Sequence, residues 1–159
     1  MNPPVFHDIP GDKNFNTDHV VVGPSGVFAI ETKGRAKPAR SKSEAGHKVE
    51  LRDSGLVFPG WTTQEPLEQA RRNALWLAKW LSSAAGEPVS VKPALVLPGW
   101  FVELKAKSDV AVLSGKQSRA YFPKAKASPI SGKLVQQISH QLDSRCRDVE
   151  PVSYVPQKT

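Results

Sequence analysis

The sequence predicts an α/β fold in which a mixed central β-sheet is flanked by helices, and three observations carry that reading. Two β-branched apolar runs, Asp18 to Gly23 and Gly26 to Lys33, sit back to back around Pro24-Ser25. Between Thr62 and Leu81 apolar residues recur at three- and four-residue spacing. Two further strand-like runs and a second amphipathic stretch complete an order of strands, helix, strands and helix, which packs helices onto a sheet.

At 159 residues, 39% of them hydrophobic, the chain closes one ordinary core. A single domain over residues 1–159 is therefore expected, with its core at about 16–147 and an irregular tail at 150–159. The segment 1–17 is rich in Pro, Asp and Asn and unlike a helix; only Val5-Phe6 offers a short patch for an edge strand. The two runs around Pro24-Ser25 are bounded by Gly and Pro and read as a hairpin. Their continuous apolar character implies burial on both faces.

Residues 35–48 are polar and basic, a loop by composition. Val49 to Phe58 follows as a second, more exposed hairpin turned by Asp53-Ser54-Gly55. The helix between Thr62 and Leu81 places Leu67, Ala70, Ala74, Leu77, Ala78 and Leu81 on one face. Pro66 falls in its first turn, where a missing N–H does no harm. Val89 to Leu97 and Asp109 to Leu113 read as buried strands, and Ile130 to Cys146 as a closing helix marked by Ile130, Leu134, Ile138 and Leu142. No internal repeat is present.

Lys and Arg number 22 against 15 Asp and Glu, a formal charge of +7 that suits a polyanionic partner, although such a balance also occurs in proteins that touch no nucleic acid. The only cysteine is Cys146, which excludes an internal disulfide and a cysteine-based zinc site and fits a reducing compartment. Met1 to Pro10 lacks a signal pattern, and no apolar run approaches the ~20 residues that span a bilayer. The expectation is a cytoplasmic protein without membrane contact.

Hydrolysis of a phosphodiester with a divalent cation needs hard oxygen ligands, commonly two carboxylates, and a positive group near the water or the developing charge. Asp18, Glu31 and Lys33 supply all three. Glu31 and Lys33, two apart on one strand, leave the same face of the sheet. If Pro24-Ser25 is a two-residue loop, Asp18 falls opposite Glu31 with Cβ atoms ~5 Å apart. Pro24, however, cannot take the positive φ of the usual two-residue turns. A bulge at Gly26 would shift the pairing by one and turn Asp18 to the other face. The spacing equally fits an arrangement in which Glu31 pairs with Lys33 or a helix and no metal binds.

Arg35, Lys37, Arg40, Lys42 and Lys48 follow Lys33 and are placed to hold phosphates. Gln69 and Asn73, four apart on one helix face, can touch substrate or orient Glu31; for Asn73 an ordinary hydrogen bond to the sheet edge is the simpler expectation. Trp76 and Trp80 are one helical turn apart and Trp100 follows a strand, which favours core or interface roles over base stacking. His19 neighbours Asp18 and so points to the opposite face, and His7, His47 and His140 show no ligand spacing. Gly115-Lys116-Gln117-Ser118 echoes a phosphate loop, but Val110 stands where the required glycine would be, which excludes an ATP site. No Gly-x-Ser-x-Gly elbow or Cys/His pair offers nucleophilic catalysis.

Taken together, Thr17-Asp-His-Val-Val-Val-Gly-Pro-Ser-Gly-Val-Phe-Ala-Ile-Glu-Thr-Lys-Gly34 closely resembles the core of the nuclease-related domain (NERD) family, part of the PD-(D/E)xK, restriction-endonuclease-like group. The likeness continues more loosely through Pro66-x-x-Gln69-x-x-x-Asn73 and Val91 to Pro98. It implies that Asp18 and Glu31 bind the metal, that the Thr32 backbone carbonyl is a further ligand, and that Lys33 orients or activates water. Gln69 matches a glutamine of the family pattern. The implied activity is Mg²⁺- or Mn²⁺-dependent cleavage of nucleic acid, DNA in preference to RNA. Fusion to other domains or homodimerisation is a further expectation from similar proteins. Such domains usually begin with a helix bearing an acidic residue; here only Asp8 and Asp12 precede Asp18, so that helix is expected to be missing. The alternatives are a non-cutting nucleic-acid-binding module or a protein-interaction domain of the same fold.

Overall fold

A computed structural model of the chain describes residues 4–11, 16–34 and 47–148. Strands β1 (Val5–Pro10), β2 (Asn16–Gly23) and β3 (Gly26–Thr32) come first, followed by β4 (Lys48–Arg52), β5 (Gly55–Phe58) and β6 (Trp61–Thr63). Helix α1 (Glu65–Ala85) then leads to β7 (Val91–Leu97), β8 (Phe101–Leu104) and β9 (Ala111–Ser114), and helices α2 (Gly115–Tyr121) and α3 (Gly132–Asp148) complete the order.

The central sheet is mixed, as the patterning predicts. Its strand order is β1-β2-β3-β7-β9, antiparallel from β1 to β3 and parallel from β3 to β9. Both faces are covered. Val20, Val22, Val27 and Ala29 pack against α1 and α3, while Val21, Phe28 and Ile30 pack on the other face beside Tyr121 and Phe122 at the end of α2. This two-sided burial is why both runs read as continuously apolar rather than alternating.

A second sheet, β6-β5-β4-β8, is distinct from the first. The hairpin of β4 and β5 is less exposed than the sequence suggests. Val49, Leu51, Leu56 and Phe58 form one buried cluster with Trp100, with Leu67 and Ala70 of α1, and with Leu95 and Leu97 of β7. The difference arises because β8 joins β4 in parallel and α1 closes over the inner face. The outer face is polar: Glu50 and Glu103 pair with Lys48, Arg52 and Lys105.

Helix α1 has Pro66 in its first turn, Glu65 and Glu68 where carboxylates favour the helix dipole, and Gly86 in the left-handed conformation (φ 75) as its stop. It runs one turn beyond Leu81. Helix α2 was not legible as a helix: seven residues are too few to show a period, and the start is set by a capping box between Ser114 and Gln117. Gly115 to Ser118 therefore opens a helix. The strand at the N-terminus extends past Val5-Phe6 to Pro10 and pairs with β2. The 150–159 tail and Asp12 lie outside the described residues. No described helix is long and apolar enough to cross a membrane.

Candidate active site

The β2–β3 hairpin decides whether the two carboxylates meet. Pairing runs from Gly23–Gly26 to His19–Ile30 with no bulge, so Pro24-Ser25 is a two-residue loop. The positive φ that Pro24 cannot adopt is taken by Gly26, at +129°. The loop is held from outside: the Ala127 N–H donates to the Ser25 carbonyl at 2.9 Å and the Ile130 N–H to the Pro24 carbonyl at 3.1 Å. One step past the last pair, the same register sets Asp18 across from Glu31.

Here the ladder gives way to side-chain bonds. The Asp18 carboxylate accepts the Thr32 N–H at 2.9 Å. The next amide along, that of Lys33, donates to the Val96 carbonyl of β7 at 3.0 Å. Because successive residues of a strand direct their backbone groups to opposite neighbours, the Thr32 carbonyl shares the Asp18 edge. Asp18 and Glu31 thus face the α1 side at one strand end, with this carbonyl on the sheet edge beside them.

Glu31 is 2% exposed and Asn73 1%. The Asn73 amide nitrogen donates to the Glu31 carboxylate at 2.5 Å. Burial pushes the Glu31 carboxyl up to about 7, and the charge of Asp18 adds to the rise; the Asn73 hydrogen bond, Lys33 and the Asp18 backbone amide oppose it. A carboxyl whose proton is this hard to remove lies where water is excluded and the charged form is poorly solvated. The ordinary sheet-edge bond expected of Asn73 is thus replaced by a bond to the acid itself. The signal was present in the sequence: Asn73 interrupts the apolar stripe of α1 between Ala70 and Ala74, and a polar group on a buried face needs a partner. The Asn73 side-chain oxygen is buried without a hydrogen-bond partner among the described residues.

Lys33 follows the last residue of β3, half-buried, and its charge is felt by Glu31. Gln69 lies one turn before Asn73 on α1, half-buried, and bonds to neither carboxylate. Arg35, Lys37, Arg40 and Lys42 lie outside the described residues. Lys48 is engaged by Glu50 and Glu103 on the small sheet and is not a spare phosphate contact. His19 points to the opposite face, as the alternation predicts; there its Nδ1 meets the Nδ1 of His7 at 2.7 Å, a contact that sequence spacing does not reveal. Trp100 is buried, and Trp76 and Trp80 stack beneath the Arg145 guanidinium.

Among the described residues no three His, Cys, Asp or Glu side chains cluster as metal ligands. A cation held here would rest on two carboxylates and the Thr32 carbonyl, with water completing its shell. That donor set is all hard oxygen, which suits Mg²⁺ or Mn²⁺ and not zinc.

The family model for the nuclease-related domain matches residues 4–98, a span from β1 through β7 that contains Asp18, Glu31, Lys33, Gln69 and Asn73. Comparison with curated proteins and with solved structures finds no match.

Proposed function

The chain belongs to the nuclease-related domain family, and on that premise we propose that it hydrolyses phosphodiester bonds of nucleic acid, DNA rather than RNA, at Asp18, Glu31 and Lys33 with Mg²⁺ or Mn²⁺. The observation that carries the reading is the buried Glu31, fixed by Asn73 and set beside Asp18.

Asp18, Glu31 and the Thr32 carbonyl would hold the ion, which when bound supplies Lewis-acid stabilisation of the phosphate and acidifies water. The remaining work falls to the chain. Asn73 and the Thr32 amide fix the two carboxylates in place before substrate arrives, so no reorganisation is needed at the moment of reaction. Lys33 would orient or activate the attacking water, or offset the charge growing on the phosphate. Gln69, one turn before Asn73 on α1, would contact substrate. Arg35, Lys37, Arg40 and Lys42 follow Lys33 in the chain and would add salt-sensitive phosphate affinity.

A plasmid-nicking assay with Mg²⁺ or Mn²⁺ and an EDTA control tests this. Product is expected only with metal, and Glu31→Ala and Lys33→Ala are each expected to lower the rate at least about 100-fold while leaving the circular dichroism unchanged. Cleavage that survives both substitutions would overturn the assignment. The competing reading, a binding module that does not cut, draws on the lack of a third side-chain ligand among the described residues. It predicts salt-sensitive binding with no metal-dependent product.

A further inference from the structure

On the face of the central sheet opposite Glu31, a groove of about 320 Å³ opens beside the same strand ends. Ile30 and Val96 lie on its floor, Phe122 on its wall, and His19, Thr32 and Arg119 at its polar edge. Mostly apolar lining with a few polar groups is the make-up of a ligand site, and the volume is at the small end of the range such sites occupy. The wall is backed by other rings: Phe122 meets Phe28 and Tyr121 edge-on at centroid distances of 5.5 and 5.2 Å. Arg119 is exposed and makes no ion pair among the described residues.

Thr32 joins the two faces. Its backbone amide holds Asp18 on the catalytic side, and the residue also lines the groove. In open α/β sheets ligands cross the carboxyl ends of the parallel strands, and β3 and β7 both end here. A strand of nucleic acid passing over that end from Asp18 and Glu31 arrives at the groove.

We propose that the groove is a nucleotide subsite: it takes one unstacked base of a single-stranded nucleic acid against Phe122 and the apolar floor, with Arg119 on the adjoining phosphate. Its position relative to cleavage rests on the nuclease reading; the binding itself does not. The preference it implies is for single-stranded or locally opened substrate, since a paired base cannot enter.

Anisotropy of fluorescein-labelled decathymidylate, titrated with the full chain in EDTA, separates the two. Arg119→Glu is expected to weaken binding about tenfold or more. Lys116→Glu, the same charge reversal on the same helix but outside the groove, should cost less than about threefold. An abasic decamer of equal charge should bind the native chain about tenfold more weakly than decathymidylate, and Ser118→Tyr, which fills the groove, should erase that preference. Equal losses from both charge reversals, no preference for bases, or no binding by the native chain would each overturn the subsite. Nicking measured in parallel keeps the readings apart. Nicking intact with no base preference defeats the subsite alone, and base preference without nicking defeats the nuclease reading alone.

Discussion

Burial of the Glu31 carboxyl beside Asp18 raises its pKa from 4.5 to about 7. The folded chain therefore holds this proton more tightly than the unfolded chain between those two values. Stability contributed by the protonated acid is present at low pH, declines as pH rises through the window, and is gone above the folded pKa. Glu31→Gln keeps the shape and removes the ionisation, so in metal-free buffer it should unfold without that slope. At about pH 8 it should exceed the native chain by about 2–3 kcal/mol, with little difference near about pH 5. Urea midpoints at the two pH values check this. A native midpoint that fails to fall relative to the variant would mean that Glu31 ionises like an ordinary surface acid. Stability gained by removing an acid, at a residue whose loss is expected to abolish cleavage, separates a site held for chemistry from one held for structure.

Between residue and sheet stands the β2–β3 hairpin, which delivers Asp18 to Glu31 only in one register. Gly26 permits that register by taking the positive φ of the turn. Its φ is +129°, and a Cβ there would meet Ala127 Cβ and the Ser128 backbone at 2.9 Å. Gly26→Ala is expected to cost roughly 1–3 kcal/mol and to loosen the strand end, seen as faster hydrogen exchange of the Thr32 amide, which loses its Asp18 acceptor. Unchanged exchange at Thr32 with lowered stability would show the site to be independent of the turn. How much of this element is legible in the sequence is instructive. Gly23, Pro24-Ser25 and Gly26 give the hairpin, and the two-residue period carries Asp18 and Glu31 to one face. The choice between a tight loop and a bulge is not settled locally: Ala127 and Ile130, about a hundred residues away, bond to the carbonyls of the tight loop and so favour it. The same holds for β8, four residues whose strand character comes from parallel pairing with the distant β4, and for α2, too short to show a period. Asn73 was readable as a polar residue on a buried stripe with Glu31 among its candidate partners, but the choice of Glu31 over the sheet edge was not, because only the packing of α1 on β3 makes it.

At the scale of the molecule, the two sheets share their core. Leu67 and Ala70 of α1 and Leu95 and Leu97 of β7 lie in one cluster with the small sheet, while Ala74, Leu77 and Leu81 of the same helix bury against the other end. Neither sheet can lose its packing without stripping one end of α1, and Asn73, which holds Glu31, sits between those two ends. Unfolding is therefore expected to be one cooperative transition that includes the site. The four tryptophans report it separately when labelled with 5-fluorotryptophan, since Trp100 is buried with the small sheet and Trp76 and Trp80 pack beside the α1–α3 cluster. Their ¹⁹F signals should lose native intensity at one urea concentration. An ion that binds only the folded site stabilises the whole transition by mass action, about 2.7 kcal/mol at a hundred times its Kd. Mg²⁺ or Mn²⁺ should thus raise the midpoint of every tryptophan together in the native chain and of none in Glu31→Gln. Were Trp100 to melt ahead of Trp76 and Trp80, the small sheet would be a unit of its own. Were metal then to move only the later step, the site would belong to the central sheet and α1 alone, and the small sheet would be free to vary without touching the chemistry.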